Sequence, residues 1–156
     1  MWKPSPMHTY KLNWDAALDR IQSRIGIGVV VRDYEGRILA TMRKNKCLFP
    51  DPLLAEAYGT LQATTFGLEL GLRKIILQGD SLQITQALKK KDANWTSVGM
   101  FVSEAKEIRK NFLKRDVLHV RRDGNVIAHV LAKDALVISD VIVTMEESPP
   151  FISDLI

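Results

Sequence analysis

From Tyr10 to Leu18 the chain alternates: Tyr10, Leu12, Trp14 and Ala16 interleave with Lys11, Asn13, Asp15 and Ala17. A period of two predicts a strand. Arg24 to Asp33 carries the β-branched run Ile27, Val29, Val30 and Val31 and predicts a second strand. Tyr34-Glu35-Gly36 reads as a turn, and Arg37 to Arg43 as a third strand, which completes an antiparallel meander. The period then lengthens. Residues 53–70 place Leu54, Ala57, Tyr58, Leu61 and Leu68 at helical spacing, and Pro50 and Pro52 keep the helix from starting earlier. Lys74-Ile75-Ile76-Leu77 is a short apolar run closed by Gly79, suited to a strand buried on both faces. Residues 81–90 and 99–113 read as helices, the second with Val102, Ala105, Ile108 and Phe112 on one side. Asp116 to Arg122 reads as a last strand. Asn125 to Ile138 closes as an amphipathic helix, with Ile127, Val130, Leu131, Ala135 and Ile138 on its apolar stripe.

The order is three strands, a helix, a strand, one or two helices, a strand and a helix. A meander followed by strand–helix alternation predicts an α/β fold: a five-stranded mixed sheet with helices on its faces. The expected organisation is one domain over 1–156, with its core at about 9–138 and an irregular tail over 139–156.

Composition narrows the class without choosing a function. A chain of 156 residues, 46% hydrophobic and 26% charged, suits a soluble globular domain. No stretch approaches the roughly 20 apolar residues that span a bilayer, and Met1-Trp2-Lys3-Pro4 lacks a signal-peptide core. No membrane partner is therefore expected, and the location is expected to be intracellular, nuclear or cytoplasmic. The lone Cys47 rules out an intrachain disulfide and a cysteine zinc site, and reads as a small packing residue. A net charge of +4 mildly favours a polyanionic partner.

The chemistry lies in the acids. Asp80, in Gln78-Gly79-Asp80-Ser81, follows the fourth strand at the carboxyl end, where open α/β sheets gather ligands. Standing alone it also suits a helix start, which Ser81 can cap. Asp15 lies inside the first strand, opposite Leu12 and Trp14. Either it is an acid on a solvated sheet face or, with this strand central and covered by crossover helices, its carboxylate needs a cation or donors to offset its desolvation. Glu56 lies in the first turn of its helix, where the helix dipole alone would favour it. At i+3, i+7 and i+11 from it stand Gly59, Ala63 and Gly67, a stripe of small residues that can lie close against a sheet. Three carboxylates with almost no histidine or cysteine suit a hard cation such as Mg²⁺. Two such ions about 4 Å apart can activate water and stabilise the leaving oxygen of a phosphodiester.

At this point the chain resembles plant ribonuclease H-like domains related to the reverse transcriptases of non-LTR retroelements. The matching segments are Lys11 to Ala17, Gly26 to Gly36, Ala55-Glu56-Ala57, Gly79-Asp80-Ser81 and His119 to Lys133. Trp2-Lys3-Pro4 and Ser148 to Ile152 match at the ends. The resemblance implies a ribonuclease H-like sheet of five strands that cuts the RNA strand of RNA–DNA hybrids with Mg²⁺, Mn²⁺ being the alternative. It maps an Asp-Glu-Asp metal set onto Asp15, Glu56 and Asp80. The fourth acid of such domains follows an asparagine by four residues; here Asn125 is followed by His129.

A neutral imidazole offers one lone pair and prefers softer metals, so His129 does not replace that acid. It is either a site residue, as ligand or proton shuttle, or an ordinary surface histidine. Asp123 is the one nearby acid that offers compensation. Ala16 stands where the resembled pattern has glycine, and the segment before Glu56 lacks hybrid-contacting asparagines. His119 aligns with the last strand and takes no catalytic role. Lys89 to Lys91, then Arg43, Lys44 and Lys46 after the third strand, then Lys106, Arg109, Lys110, Lys114 and Arg115 are candidate phosphate contacts or plain solvated surface. Trp95 stacks on a base or anchors its loop. Two readings follow: an RNA–DNA hybrid ribonuclease, or a weakened or inactive domain of the same fold that binds nucleic acid or protein.

Overall fold

A computed structural model describes residues 8–91 and 96–145. Its strands are β1 (Tyr10–Asp19), β2 (Arg24–Arg32), β3 (Ile38–Cys47), β4 (Lys74–Gly79), β5 (Lys114–His119) and β6 (Val141–Met145). Its α-helices are α1 (Pro52–Glu69), α2 (Leu82–Lys89), α3 (Ser97–Arg109) and α4 (Val126–Ala135). The strands form one sheet in the order β5-β4-β1-β2-β3-β6. β1 pairs antiparallel with β2 and parallel with β4, so it sits inside the sheet, and Lys11 to Asp15 are buried on both of its faces.

The two faces of β1 are covered by different helices. Leu12 and Trp14 are fully buried in the main core beneath α1. The stripe of small residues on α1 lies against them: a Cβ on Gly59 would stand 2.9 Å from Trp14, and one on Gly67 2.7 Å from Leu12. Each fully buried Leu or Ile contributes about 1.5–3 kcal/mol relative to an exposed one. On the opposite face, Val30 packs with Ile127, Ala128 and Leu131 of α4. That helix comes close because β2 presents glycine to it. A Cβ on Gly28 would meet the Ala128 carbonyl oxygen at 2.3 Å and the Ala132 nitrogen at 2.4 Å, neither of which can yield.

Three sequence expectations need correction. The sheet has six strands, and the tail is not wholly irregular, because Val141–Met145 pairs antiparallel with β3. Four of its five residues are β-branched, which suits an extended edge strand. Arg43, Lys44 and Lys46 do not follow β3 but lie within it. The ammonium groups of Lys44 and Lys46 sit 5.9 and 5.7 Å from the centroid of the Tyr58 ring, so their stems cover apolar surface while the strand continues. Cys47 ends that strand exposed to solvent and is not a packing residue. Trp95, residues 1–7 and residues 146–156 lie outside the described residues.

Candidate metal centre

Asp15 is level with Gly28 of β2 on the face that α4 covers, and only 4% of its surface is exposed. On its other side β1 runs parallel to β4, with Leu12 opposite Leu77 and Asn13 opposite Gln78. Continuing that register brings Asp80, the first residue beyond β4, alongside Asp15. Glycine is needed just before it: a Cβ on Gly79 would stand 2.5 Å from the Trp14 ring. Ser81 then caps α2, its hydroxyl accepting from the Ile84 N–H at 3.4 Å.

Glu56 comes from α1. Asp51 caps this helix, accepting from the Leu54 N–H at 2.9 Å, and Pro52 opens it. The first turn therefore lies before Glu56 and holds no acid, so attraction to the helix dipole does not explain this residue. The helix instead carries Glu56 to the sheet, where ligand oxygens of Asp15, Glu56 and Asp80 all lie within 4.8 Å of one another.

Burial, then the neighbouring charges of Asp15 and Asp80, push the Glu56 carboxyl well above its ordinary pKa, against a hydrogen bond from the Ala16 N–H that lowers it. Burial and Asp15 also raise Asp80, with Arg122, His129 and His119 pulling the other way. The Glu56 Oε2 atom is buried and has no hydrogen-bond partner. Three acids thus share a pocket too poor in positive charge to ionise them all cheaply.

A divalent cation fits this deficit. The donor atoms are all carboxylate oxygens, the set that Mg²⁺ and Mn²⁺ prefer. Their 4.8 Å spread is little more than the separation of about 4.2 Å between opposite ligands of one Mg²⁺ at ~2.1 Å each.

His129 comes to the site but not as a fourth oxygen. Its Nδ1 lies 2.8 Å from Asp15 Oδ2. The asparagine one turn earlier explains this placement. Asn125 leaves the start of α4 uncapped and points inward, donating from Nδ2 to the Trp14 carbonyl at 2.8 Å. Its Oδ1 accepts from Asn13 Nδ2 at 3.1 Å, so α4 is pinned to β1 one turn from the carboxylates. Asp123 offers no compensation, because it faces a different cleft with Asn13 and Arg32.

Arg122 is the residue that the sequence reading missed. β5 ends at His119, so Arg122 belongs to a short 3₁₀ turn (Arg122–Gly124) rather than to the strand. From there its Nε reaches to 3.8 Å from Asp80 Oδ2, with 83% of the side chain exposed. The ring of His119 lies 3.2 Å from the Asp80 carbonyl oxygen, a backbone contact. Asp15, Glu56, Asp80, Arg122 and His129 line a cleft of about 210 Å³.

The other cations divide. Arg43 pairs with Asp134 at 2.6 Å, and Lys110 with Glu107 at 2.8 Å. Arg109 donates to the Leu88 and Arg115 carbonyls at 2.9 and 2.7 Å, tying α2 to β5. Arg43 and Arg109 have structural duties, whereas the Lys110 pair is exposed, as are Lys89, Lys90 and Lys91 at the end of α2.

Solved structures share this architecture. Ribonuclease H1 of the halophilic archaeon Halobacterium salinarum is 24% identical over 82% of this chain and 97% of its own, with a TM-score of 0.75. The N-terminal ribonuclease H domain of Rv2228c from Mycobacterium tuberculosis is 19% identical over 82% and 93%, with a TM-score of 0.73. LC11-RNase H1, solved in complex with an RNA/DNA hybrid, is 17% identical over 80% and 94%, with a TM-score of 0.63. At these identities the likeness shows the fold. No curated protein sequence matches significantly. Residues 13–135, most of the chain, match the family described as reverse transcriptase-like, and the protein therefore belongs to that family as a ribonuclease H-like domain.

Proposed function

We propose that the whole chain acts as one domain that hydrolyses the RNA strand of RNA–DNA hybrids endonucleolytically, using Mg²⁺ or Mn²⁺ held by Asp15, Glu56 and Asp80. The observation that carries this is the meeting of three carboxylates from β1, α1 and the end of β4 around a buried, unpartnered Glu56 oxygen. Once bound, the metal supplies charge that activates water and stabilises the leaving oxygen of a phosphodiester. The residues of the chain supply placement. Asp15 is fixed by the central strand, and Asn125 holds α4 against it. With Nδ1 of His129 donating to Asp15, its Nε2 is the basic nitrogen, able to hold or release a proton at the cleft. Arg122, exposed at the rim beside Asp80, contacts the phosphate of the bound strand.

The choice of hybrid as substrate is supported by the relative solved with one, and the plant retroelement type by the sequence resemblance alone. The proposed site of action is intracellular, nuclear or cytoplasmic; no helix among the described residues is long and apolar enough to cross a membrane. One observation favours the second reading, a weakened or inactive nucleic-acid-binding or protein-interaction domain: His129 stands where such domains carry a fourth acid, and it occupies one Asp15 oxygen.

Labelled hybrid incubated with Mg²⁺, and separately with Mn²⁺, decides between them. Cleavage is expected. It should fall by about 100-fold or more in Asp15→Asn and in Asp80→Asn, since even outer partners of a metal ligand cost 10–100-fold. Binding without cleavage in either metal would establish the second reading.

A further inference from the structure

Beyond the end of α4, the turn joining β1 to β2 and the last turn of the helix enclose a second cleft of about 810 Å³. Leu18 lines both this cleft and the carboxylate cleft, so the two adjoin at the end of β1.

Cations outnumber acids in the lining of this cleft. Arg20, Arg24 and Lys133 line it, and none of them pairs with an acid among the described residues. Asp19, the acid in its lining, is engaged by the turn: its Oδ1 accepts from the N–H groups of Ile21 and Gln22 at 3.1 Å each. The cations are not needed to satisfy the end of α4 either. Asn45 Nδ2 donates to the Ala135 and Ile138 carbonyls at 3.0 and 2.7 Å. The N–H groups of Leu136 and Val137 take those of Lys133 and Asp134. Arg20 donates from Nη1 to the Pro50 carbonyl at 3.2 Å and is otherwise an exposed residue. Arg24 is braced by Asn45. At the tip between them Ile21 is 97% exposed.

Position adds a length. Five residues of extended chain separate Asp15 from Arg20, about 16 Å at ~3.3 Å per residue. That is the rise of about five base pairs at 3.4 Å each.

We infer that this cleft carries the substrate duplex away from the catalytic centre, with Arg20 and Arg24 contacting backbone phosphates about five base pairs from the cut. The inference rests on the hydrolase reading above. An acidic protein segment would match the charge, but the neighbouring carboxylate cleft, read above as a phosphodiester site, favours a nucleic acid.

The test measures hybrid binding against salt concentration, without divalent metal so that nothing is cut, for a hybrid long enough to cross both clefts. Arg20→Gln and Arg24→Gln should each lower the log–log salt slope by about 0.9 and weaken low-salt binding about fivefold. Arg20→Lys should keep the slope, and Arg73→Gln, an exposed cation in the α1–β4 connection, should leave it unchanged. Should Arg24→Gln lower Tm by breaking its bond to Asn45, the exposed Arg20 carries the test. Unaltered slopes in the folded variants overturn the inference, as they would if the cleft served an acidic protein. Cutting with unaltered slopes removes this contact and keeps the hydrolase reading. Altered slopes without cutting in either metal do the reverse.

Discussion

Glu56 keeps one carboxylate oxygen buried and unpartnered at a place where burial and the charges of Asp15 and Asp80 favour its protonated form. The sign of the consequence follows from linkage. An acid whose folded-state pKa exceeds its unfolded value of about 4.3 makes the metal-free fold lose stability as pH rises from there through the raised pKa. Glu56→Gln removes the titration and keeps the shape. Its Tm in chelator should match wild type near pH 4 and exceed it at pH 7, the gap opening as pH rises. Added Mg²⁺ should stabilise the wild type more than the variant, which thermal scans across pH will show. His129 tests the opposite change. His129→Asp adds an anionic oxygen beside Asp15 and should raise Mg²⁺-supported cleavage several-fold. An unchanged rate, with cleavage otherwise intact, would show that the position takes no part in metal binding.

At the scale of elements, the site depends on α4 lying close to the sheet, and that closeness depends on Gly28. Gly28→Ala puts a methyl group against the Ala128 and Ala132 backbone, which forces the helix outward. We expect a loss of about 3 kcal/mol from overpacking, or about 9 °C in Tm. Cleavage should fall with it as His129 leaves Asp15. The elements themselves were largely legible in the sequence. The alternation in β1, the β-branched run of β2 and the helical stripes of α1 and α4 state their periods directly. β6 was not legible, because Val141–Met145 does not alternate and becomes a strand by pairing with β3. The true end of β3 was hidden by Lys44 and Lys46, whose charges mimic a loop while their stems lie over Tyr58. Arg122 was hidden by a boundary, since a strand read three residues too long absorbs the turn that aims it at Asp80.

Over the whole molecule, the order of strands and helices leaves few ways to wire the sheet, and the parallel pairing of β4 with β1 then sets Asp15 and Asp80 side by side. What no one-dimensional pattern states is that Asn125 turns inward to pin α4, so that His129 bonds Asp15 instead of standing as a separate ligand. The cationic cleft beyond Leu18 was likewise invisible, since Arg20, Arg24 and Lys133 come together only when the hairpin closes over α4. The acid cluster remains the claim from which the rest follows, and a crystal grown with Mn²⁺ and read by anomalous diffraction addresses it directly. One or two Mn²⁺ ions are expected about 2.2 Å from oxygens of Asp15, Glu56 and Asp80, Glu56 Oε2 among them. A saturated crystal with no anomalous peak between these three side chains would contradict it.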